Sequence, residues 1–395
     1  MTANGAVRRI GADERRARVG VRHRLAPGLR AKSAEEVTES LVALHATDAA
    51  TVYLSTAARL SEAGFADVER ALYKDGSLVR LLAMRRTMFV VTQASAPVVY
   101  AAAARAIAVK ERAGLLKYLA DGGGWDEAWL SEVEDAVVAT LAEHGETTAA
   151  QLGDYEPRLR EQVVVAAGKP YEARQNVSSR IIRVLAAEGR ITRRRPVGSW
   201  TSSQFRWAVA APLPELPAAE AKAGLARDWL AAYGPGTEAD LKWWTGWTLT
   251  DVRKALAAVG AEQVALDEET GYVLPGDAEP VPAAAPWAAL LPGLDPTPMG
   301  WQRRDWFLPD EHRSALFDGS GNVGPTVWWD GRVVGGWAQR PDGEVVWRPL
   351  TGPGKGPGKA AVAAIEAEAA RLGGWLKDIR VTPRFRTPLE RELSA

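Results

Sequence analysis

SAEEVTESLVALHATDAATVYLSTAARLSEAGFADVERALYKDGSLVRLLAMRRTMFVV, residues 33–91, changes hydrophobic period along its length. Ser33 and Glu36 form a capping box ahead of an apolar-periodic run from Val37 to Leu44. A second helix reads from Thr51 to Leu60 and a third from Phe65 to Lys74, stopped by Asp75-Gly76. From Leu78 to Ala83 and from Met88 to Val91 the pattern is that of two strands, joined at Met84-Arg85-Arg86-Thr87.

The same order recurs twice without sequence identity between the copies. The second copy has a helix from Trp129 to His144, a short helix capped by Thr147 or Thr148 that includes Leu152, and a helix from Ser178 to Glu188. Strands Arg190 to Arg194 and Gln204 to Ala208 follow. The third copy has helices Ala221 to Tyr233, Glu238 to Thr245 and Thr250 to Val259, then strands Gln263 to Leu266 and Gly271 to Leu274. Three helices followed by a hairpin is the winged-helix arrangement, whose third helix can enter a major groove while the wing lies on the backbone. Winged helices also serve as protein–protein modules, but three in tandem point to a nucleic-acid cradle.

After Pro275 the composition changes. Gly276 to Pro286 is an extended Pro- and Ala-rich linker. The chain then reads as β at Trp287 to Leu291, Thr326 to Trp329, Val333 to Ala338 and Val345 to Arg348, with turns at Asp330-Gly331 and Asp342-Gly343. Gly352 to Gly358 reads as a hinge. Lys359 to Leu372 reads as a helix stopped by Gly373-Gly374, and Arg380 to Arg386 as a last edge strand around Pro383. The expected organisation is α+β: a winged helix with a basic N-terminal arm over 1–115, winged helices over 116–215 and 216–280, and a small β-barrel with a packing helix over 281–395.

Composition narrows the chemistry. The 395 residues carry 49 Lys+Arg, 49 Asp+Glu, four His and no Cys. Zero Cys excludes disulfides, thiolate metal sites and a Cys nucleophile, and four scattered His argue against a metal centre. No apolar run approaches the roughly 18 residues needed to span a bilayer. The N-terminus has charge but no apolar core, so a soluble cytoplasmic protein is expected. Gly352-Pro353-Gly354-Lys355-Gly356 lacks the spacing and context of a phosphate-binding loop. Net charge is zero, yet arginines crowd the first thirty residues and recur at Arg85-Arg86, at Arg193-Arg194-Arg195 and at Arg380, Arg384 and Arg386. Such clusters are either solvated surface or a basic face for phosphate.

His45, Thr47 and Asp48 lie together where one helix ends and the next begins. With one residue between them, His45 and Thr47 point to the same side if the segment is extended. A histidine, a hydroxyl and a carboxylate can together orient a water or stabilise a developing cation. The alternative is structural: Asp48 or Thr51 caps the second helix and His45 is a half-buried packing residue. In the hairpin turn, Arg85 and Arg86 suit phosphate contact, Met84 and Met88 suit wedging against bases, and Thr87 completes the turn. The alternative there is a plain hairpin with a solvated tip. Arg180, Arg183, Arg193, Arg194 and Arg195 offer helix and wing contacts to a phosphate backbone. Trp200 and Phe205 read as packing residues, and the tryptophans of the C-terminal half as core.

The chain resembles the tandem winged-helix DNA glycosylases of the AlkZ/YcaQ type. The carriers are Leu44-His45-Ala46-Thr47-Asp48, the turn Met84 to Thr87, Tyr233-Gly234-Pro235 with Thr237, Asp240 and Trp244, Leu291-Pro292-Gly293-Leu294-Asp295-Pro296, and Asp330-Gly331 with Val334-Gly335. The resemblance implies a C-shaped cradle for duplex DNA, release of alkylated purines including bulky adducts, and no metal or cofactor. It places the catalytic motif, Gln–aliphatic–Gln or Gln–aliphatic–Asp in the family, on His45, Ala46 and Thr47, which differ at both polar positions. Two classes follow: a monofunctional DNA glycosylase for bulky or cationic alkylpurines, in DNA repair or in self-resistance to a genotoxic metabolite, or a non-catalytic DNA-binding sensor or regulator. In both the partner is double-stranded DNA, damaged in the first. No membrane is involved, and a monomer is expected because three winged helices already make an asymmetric cradle.

Overall fold

The computed structural model describes residues 7–62, 64–165, 168–170, 172–267, 269–282, 284–350 and 356–395. It divides into two compact units. The first gathers the described residues up to Leu78, Phe89–Thr92 and Lys222–Ala395; the second gathers Val79–Met88 and Gln93–Ala221.

The first unit begins with helix Ala12–Arg22, whose first turn carries Asp13 and Glu14 where the helix dipole favours negative charge. Its arginines are not a free basic arm. Arg15, Arg16 and Arg18 are buried. Arg18 donates to Glu14 at 2.9 Å, to Asp277 at 3.1 Å and to the Glu279 carbonyl at 2.8 Å. Arg16 donates to the Trp306 carbonyl at 2.5 Å, and the Arg15 guanidinium lies 4.0 Å over the Trp306 ring.

Ser33 caps helix Ala34–Ser40 by accepting from the Glu36 N–H at 3.2 Å. The helix stops four residues earlier than its apolar pattern suggests. Val42 takes φ 64°, and Leu44–His45 become a strand paired antiparallel to Val90 and Phe89. A partner distant in sequence overrides the helical period here. Asp48 caps helix Ala49–Ala57. Farther on, Thr237 and Asp240 make a reciprocal capping box for helix Glu238–Thr245, and Thr248 caps Leu249–Ala258. Strands Glu262–Ala265 and Thr270–Val273 close that segment as an antiparallel pair.

The C-terminal β region is an open sheet rather than a closed barrel. Its four strands run Ala288–Leu291, Thr326–Trp329, Arg332–Gln339 and Val345–Pro349 in sequential antiparallel order. The expected closing strand Arg380 to Arg386 is not a strand. Pro383 has no N–H to offer, the Val381 N–H goes to the Gln339 side chain at 2.9 Å, and the Arg384 N–H goes to Asp48 at 2.9 Å. With those donors committed to side chains, no ladder forms. Helix Lys359–Leu376 packs on the sheet and runs through Gly373-Gly374 to end at Lys377, φ 49°. Residues 352–355 of the expected hinge lie outside the described residues. Trp287, Trp301, Trp306, Trp328 and Trp337 are buried, as their aromatic area suggests.

The second unit contains helices Arg105–Gly123, Glu127–His144, Ala149–Tyr155 and Ser178–Ala187. Strand Thr147–Thr148 pairs with Phe205–Val209, which pairs with Ile191–Pro196. Leu119, Leu130, Val137, Leu152, Ile181 and Leu185 lie in its core. The helix Arg105–Gly123 and the hairpin Gln162–Val165 with Ala173–Asn176 are not foreseen by periodicity. All four residues of Ala173–Asn176 are exposed, so no alternation marks them.

Candidate active site and nucleic-acid interface

The segment Leu41 to Thr51 is held from several sides by groups far away in sequence. The Tyr233 hydroxyl donates to the Leu41 carbonyl at 2.9 Å, fixing the exit of the preceding helix. The Thr51 hydroxyl donates to the Gly293 carbonyl at 2.8 Å, tying the next helix to the Pro292–Asp295 loop. Beneath lies a buried ion pair. Arg59 and Asp295, both fully buried, meet through two hydrogen bonds of 2.8 and 2.7 Å. Arg59 also donates to the Thr297 hydroxyl at 2.7 Å, which lies 2.8 Å from His23 Nδ1, while His23 Nε2 lies 3.1 Å from the Ala232 carbonyl. A carbonyl only accepts, so Nε2 carries the proton and Nδ1 accepts from Thr297. Burial first, then the Arg59 charge, lowers the His23 pKa to about 3, so His23 is neutral.

On this base His45 is 6% exposed, with its ring 5.3 Å from that of Phe89. The extended backbone ends at His45; Thr47 is half-buried in a bend with Asp48. Asp48 accepts from the Ala50 N–H at 3.1 Å, which is the helix cap, and from the Arg384 N–H at 2.9 Å. Arg384 also donates from its guanidinium to the Thr47 carbonyl at 3.4 Å. Asp48, Thr51, Pro292, Gly293, Gln339 and Pro383 border a cleft with room for about one water, roughly 20 Å³; His45 and Thr47 do not line it. Sequence reasoning named Arg384 only as part of a cluster and did not single out the Arg59–Asp295 pair. A single Asp in a Pro-rich loop gives no sign that its partner is an arginine in the turn after a helix distant in sequence.

In the second unit Met84 is fully buried, so it cannot wedge against bases; the turn reverses with Met84 anchored in the core. Arg85 and Arg86 both take left-handed φ, 55° and 60°. Burial lowers the Arg85 pKa. Arg86 is 65% exposed and ion-paired with Glu111. Thr87 and Met88 are half-buried. Arg180 lies 4.0 Å over the Tyr118 ring, and Arg183 is exposed. Arg193 lies over Phe205 and Trp207 at 5.0 and 5.3 Å, Arg194 pairs with Glu146 at 2.8 Å, and Arg195 is exposed. The structure therefore brings Arg86, Arg180 and Arg183 to one cavity, and Arg193 to a second that it shares with Arg183. Among the described residues there is no cluster of three or more His, Cys, Asp or Glu able to hold a metal, and no helix long and apolar enough to cross a membrane.

A family model described as DNA glycosylase AlkZ-like matches residues 38–375. The chain is 35% identical over 161 residues to an interstrand DNA cross-link repair glycosylase of Streptomyces sahachiroi; the match covers 39% of this chain and 42% of that relative's length. The solved structure of Streptomyces sahachiroi DNA glycosylase AlkZ superposes with a TM-score of 0.71 at 24% identity, covering 93% of this chain and 97% of that one. The structural likeness is one of fold.

Proposed function

The chain belongs to the DNA glycosylase AlkZ-like family, and from that premise we propose that it binds duplex DNA and hydrolyses the N-glycosidic bond of bulky or cationic alkylpurines. A purine alkylated at N7 is positively charged and already a good leaving group. The enzyme then need not protonate the base; it has to hold a water against C1′ and favour an oxocarbenium-like state. In this reading His45 accepts a hydrogen bond from the water and Thr47 orients it. Asp48, fixed by the Ala50 and Arg384 N–H groups, supplies negative charge beside the developing cation. The observation that carries the reading is the convergence of Tyr233, Gly293 and Arg384 on the Leu41–Thr51 segment. Tyr233 and Gly293, which belong to other resemblance motifs, and Arg384 thus hold the stretch that the resemblance matches to the family's catalytic motif.

The helix and strand order of Glu127–His144, Thr147–Thr148, Ala149–Tyr155, Ser178–Ala187, Ile191–Pro196 and Phe205–Val209 supports a winged helix in the second unit. We read the protein as a monomer of the cytoplasm. The named relative makes interstrand crosslinks a substrate class to test, with self-resistance to a genotoxic metabolite as the physiological setting. The burial of His45 against Phe89 favours the second reading, a DNA-binding sensor without catalysis. Incubation with duplexes carrying N7-methylguanine or a bulky N7 adduct separates the two. The glycosylase leaves abasic sites; a sensor binds the same duplex and leaves it intact.

A further inference from the structure

The turn between strands Leu78–Ala83 and Thr87–Thr92 holds two consecutive arginines in the left-handed region, at φ 55° and 60°. That region disfavours any residue with a Cβ, and Asn or Gly would occupy it with less strain. Strain of this kind persists where the position does something a relaxed residue would not. Here it accompanies an Arg86 side chain that is 65% exposed and paired with Glu111, which is only 11% exposed. Glu111 does not stand among neutral groups. Lys110, Arg180 and Arg183 line the same cavity of about 260 Å³ with Arg86. Arg180 is aimed by its stacking on Tyr118 at 4.0 Å. Among the described residues no ion pair forms at Lys110 or Arg183, and Arg183 is exposed. Four cations and one carboxylate thus line the same cavity, an excess of positive charge in a recess wide enough for a phosphodiester.

A carboxylate offers a guanidinium the same planar pair of acceptors that a phosphate does. We propose that this cavity is a phosphate clamp, in which Glu111 occupies the phosphate's place in the free protein and gives up Arg86 when duplex DNA arrives. The inference rests on the DNA-binding reading above. It adds which cations act together, brings in Lys110 and Glu111, and says what holds Arg86 beforehand. Because Arg86 must leave Glu111 to engage DNA, its contribution to affinity is the phosphate contact minus the lost internal pair. Removing Glu111 removes that competition.

The test is duplex affinity of the full chain for wild type, Arg86→Gln, Glu111→Gln and the double variant, on a labelled undamaged duplex at several salt concentrations. The clamp predicts that Arg86→Gln weakens binding about 2- to 5-fold more in the Glu111→Gln background than in wild type, the range for one partly exposed pair. It also predicts that the log–log salt slope falls by about one when Arg86 or Arg183 is replaced by Gln. If Glu111 were instead a permanent partner that aims Arg86, Arg86→Gln would cost less in the Glu111→Gln background, because no orphaned carboxylate would face the phosphates. That sign, or simple additivity, overturns the clamp while wild-type DNA binding stands. Absence of any wild-type duplex binding at low salt overturns both the clamp and the DNA-binding reading. Should Glu111→Gln unfold, Glu111→Ala completes the same cycle.

Discussion

Arg15, Arg16 and Arg18 of the first helix and Arg86, Arg180 and Arg183 of the second unit look alike as charges in a sequence, yet the structure gives them opposite surroundings. The first set is buried: Arg16 and Arg18 are held by Asp13, Glu14, Asp277 and backbone carbonyls, while Arg15 lies over the Trp306 ring with its buried Nε making no hydrogen bond among the described residues. The second lines a cavity, with Arg86 and Arg183 exposed and Glu111 the one acidic residue among the described residues that line it. The lesson is that arginine density does not locate a phosphate surface; partner and burial do. An interior guanidinium holds the fold and is insensitive to salt, whereas a presented one binds anions and responds to salt.

The largest effect expected is in the interior. Asp295→Ala leaves Arg59 buried without its carboxylate and should destabilise the protein by about 3–5 kcal/mol, read by urea denaturation, with little dependence on salt. Arg18→Ala should cost less, about 2 kcal/mol, because the charge-assisted hydrogen bonds it loses leave Glu14 and Asp277 partly solvated. Duplex affinity of the folded Arg18→Ala protein should be unchanged. A drop in affinity with unchanged stability would break the comparison at that residue.

The interior should also respond to acid. The His23 pKa is about 3 in the fold, against about 6.5 unfolded. The unfolded chain therefore binds a proton first, and the contribution of neutral His23 is complete above about pH 6.5 and lost as pH falls toward 3. At pH 5 this amounts to about 2 kcal/mol, measured as the change in unfolding free energy from pH 7 and absent in His23→Gln. At the other end of the scale, Arg86→Gln should leave stability within about 0.5 kcal/mol of wild type while lowering duplex affinity about 3- to 10-fold. Smallest of all, Arg9→Ala breaks an exposed pair with Asp267 and should not move the unfolding midpoint measurably.

What the sequence made legible follows from the range of the forces involved. The helix start at Thr237 depends on a side chain reaching an N–H within three residues and is found where capping chemistry puts it; of the two candidates Asp48 and Thr51 the cap is Asp48, and the helix expected from Thr250 starts earlier, capped by Thr248. The strand at His45 depends on Phe89, and the missing last strand depends on Asp48 and Gln339 capturing the N–H groups of Arg384 and Val381. Neither partner is visible in the local pattern. Gly373-Gly374 reads as a stop, but packing of the helix on the sheet carries it through to Leu376. In the site, the sequence points to His45, Thr47 and Asp48 as one segment and to Arg86, Arg180 and Arg183 only as separate clusters. Met84 reads as a wedge because a methionine at a turn carries no sign of whether the turn is buried.

The central claim, that the His45 segment performs base release, is tested most directly by single-turnover excision from a duplex carrying N7-methylguanine, comparing wild type with His45→Ala. The account predicts that His45→Ala releases base about 10- to 1000-fold more slowly, that Thr47→Ala loses less, and that duplex affinity is unchanged in both. Release by His45→Ala at the wild-type rate, on a substrate the wild type processes, would contradict it.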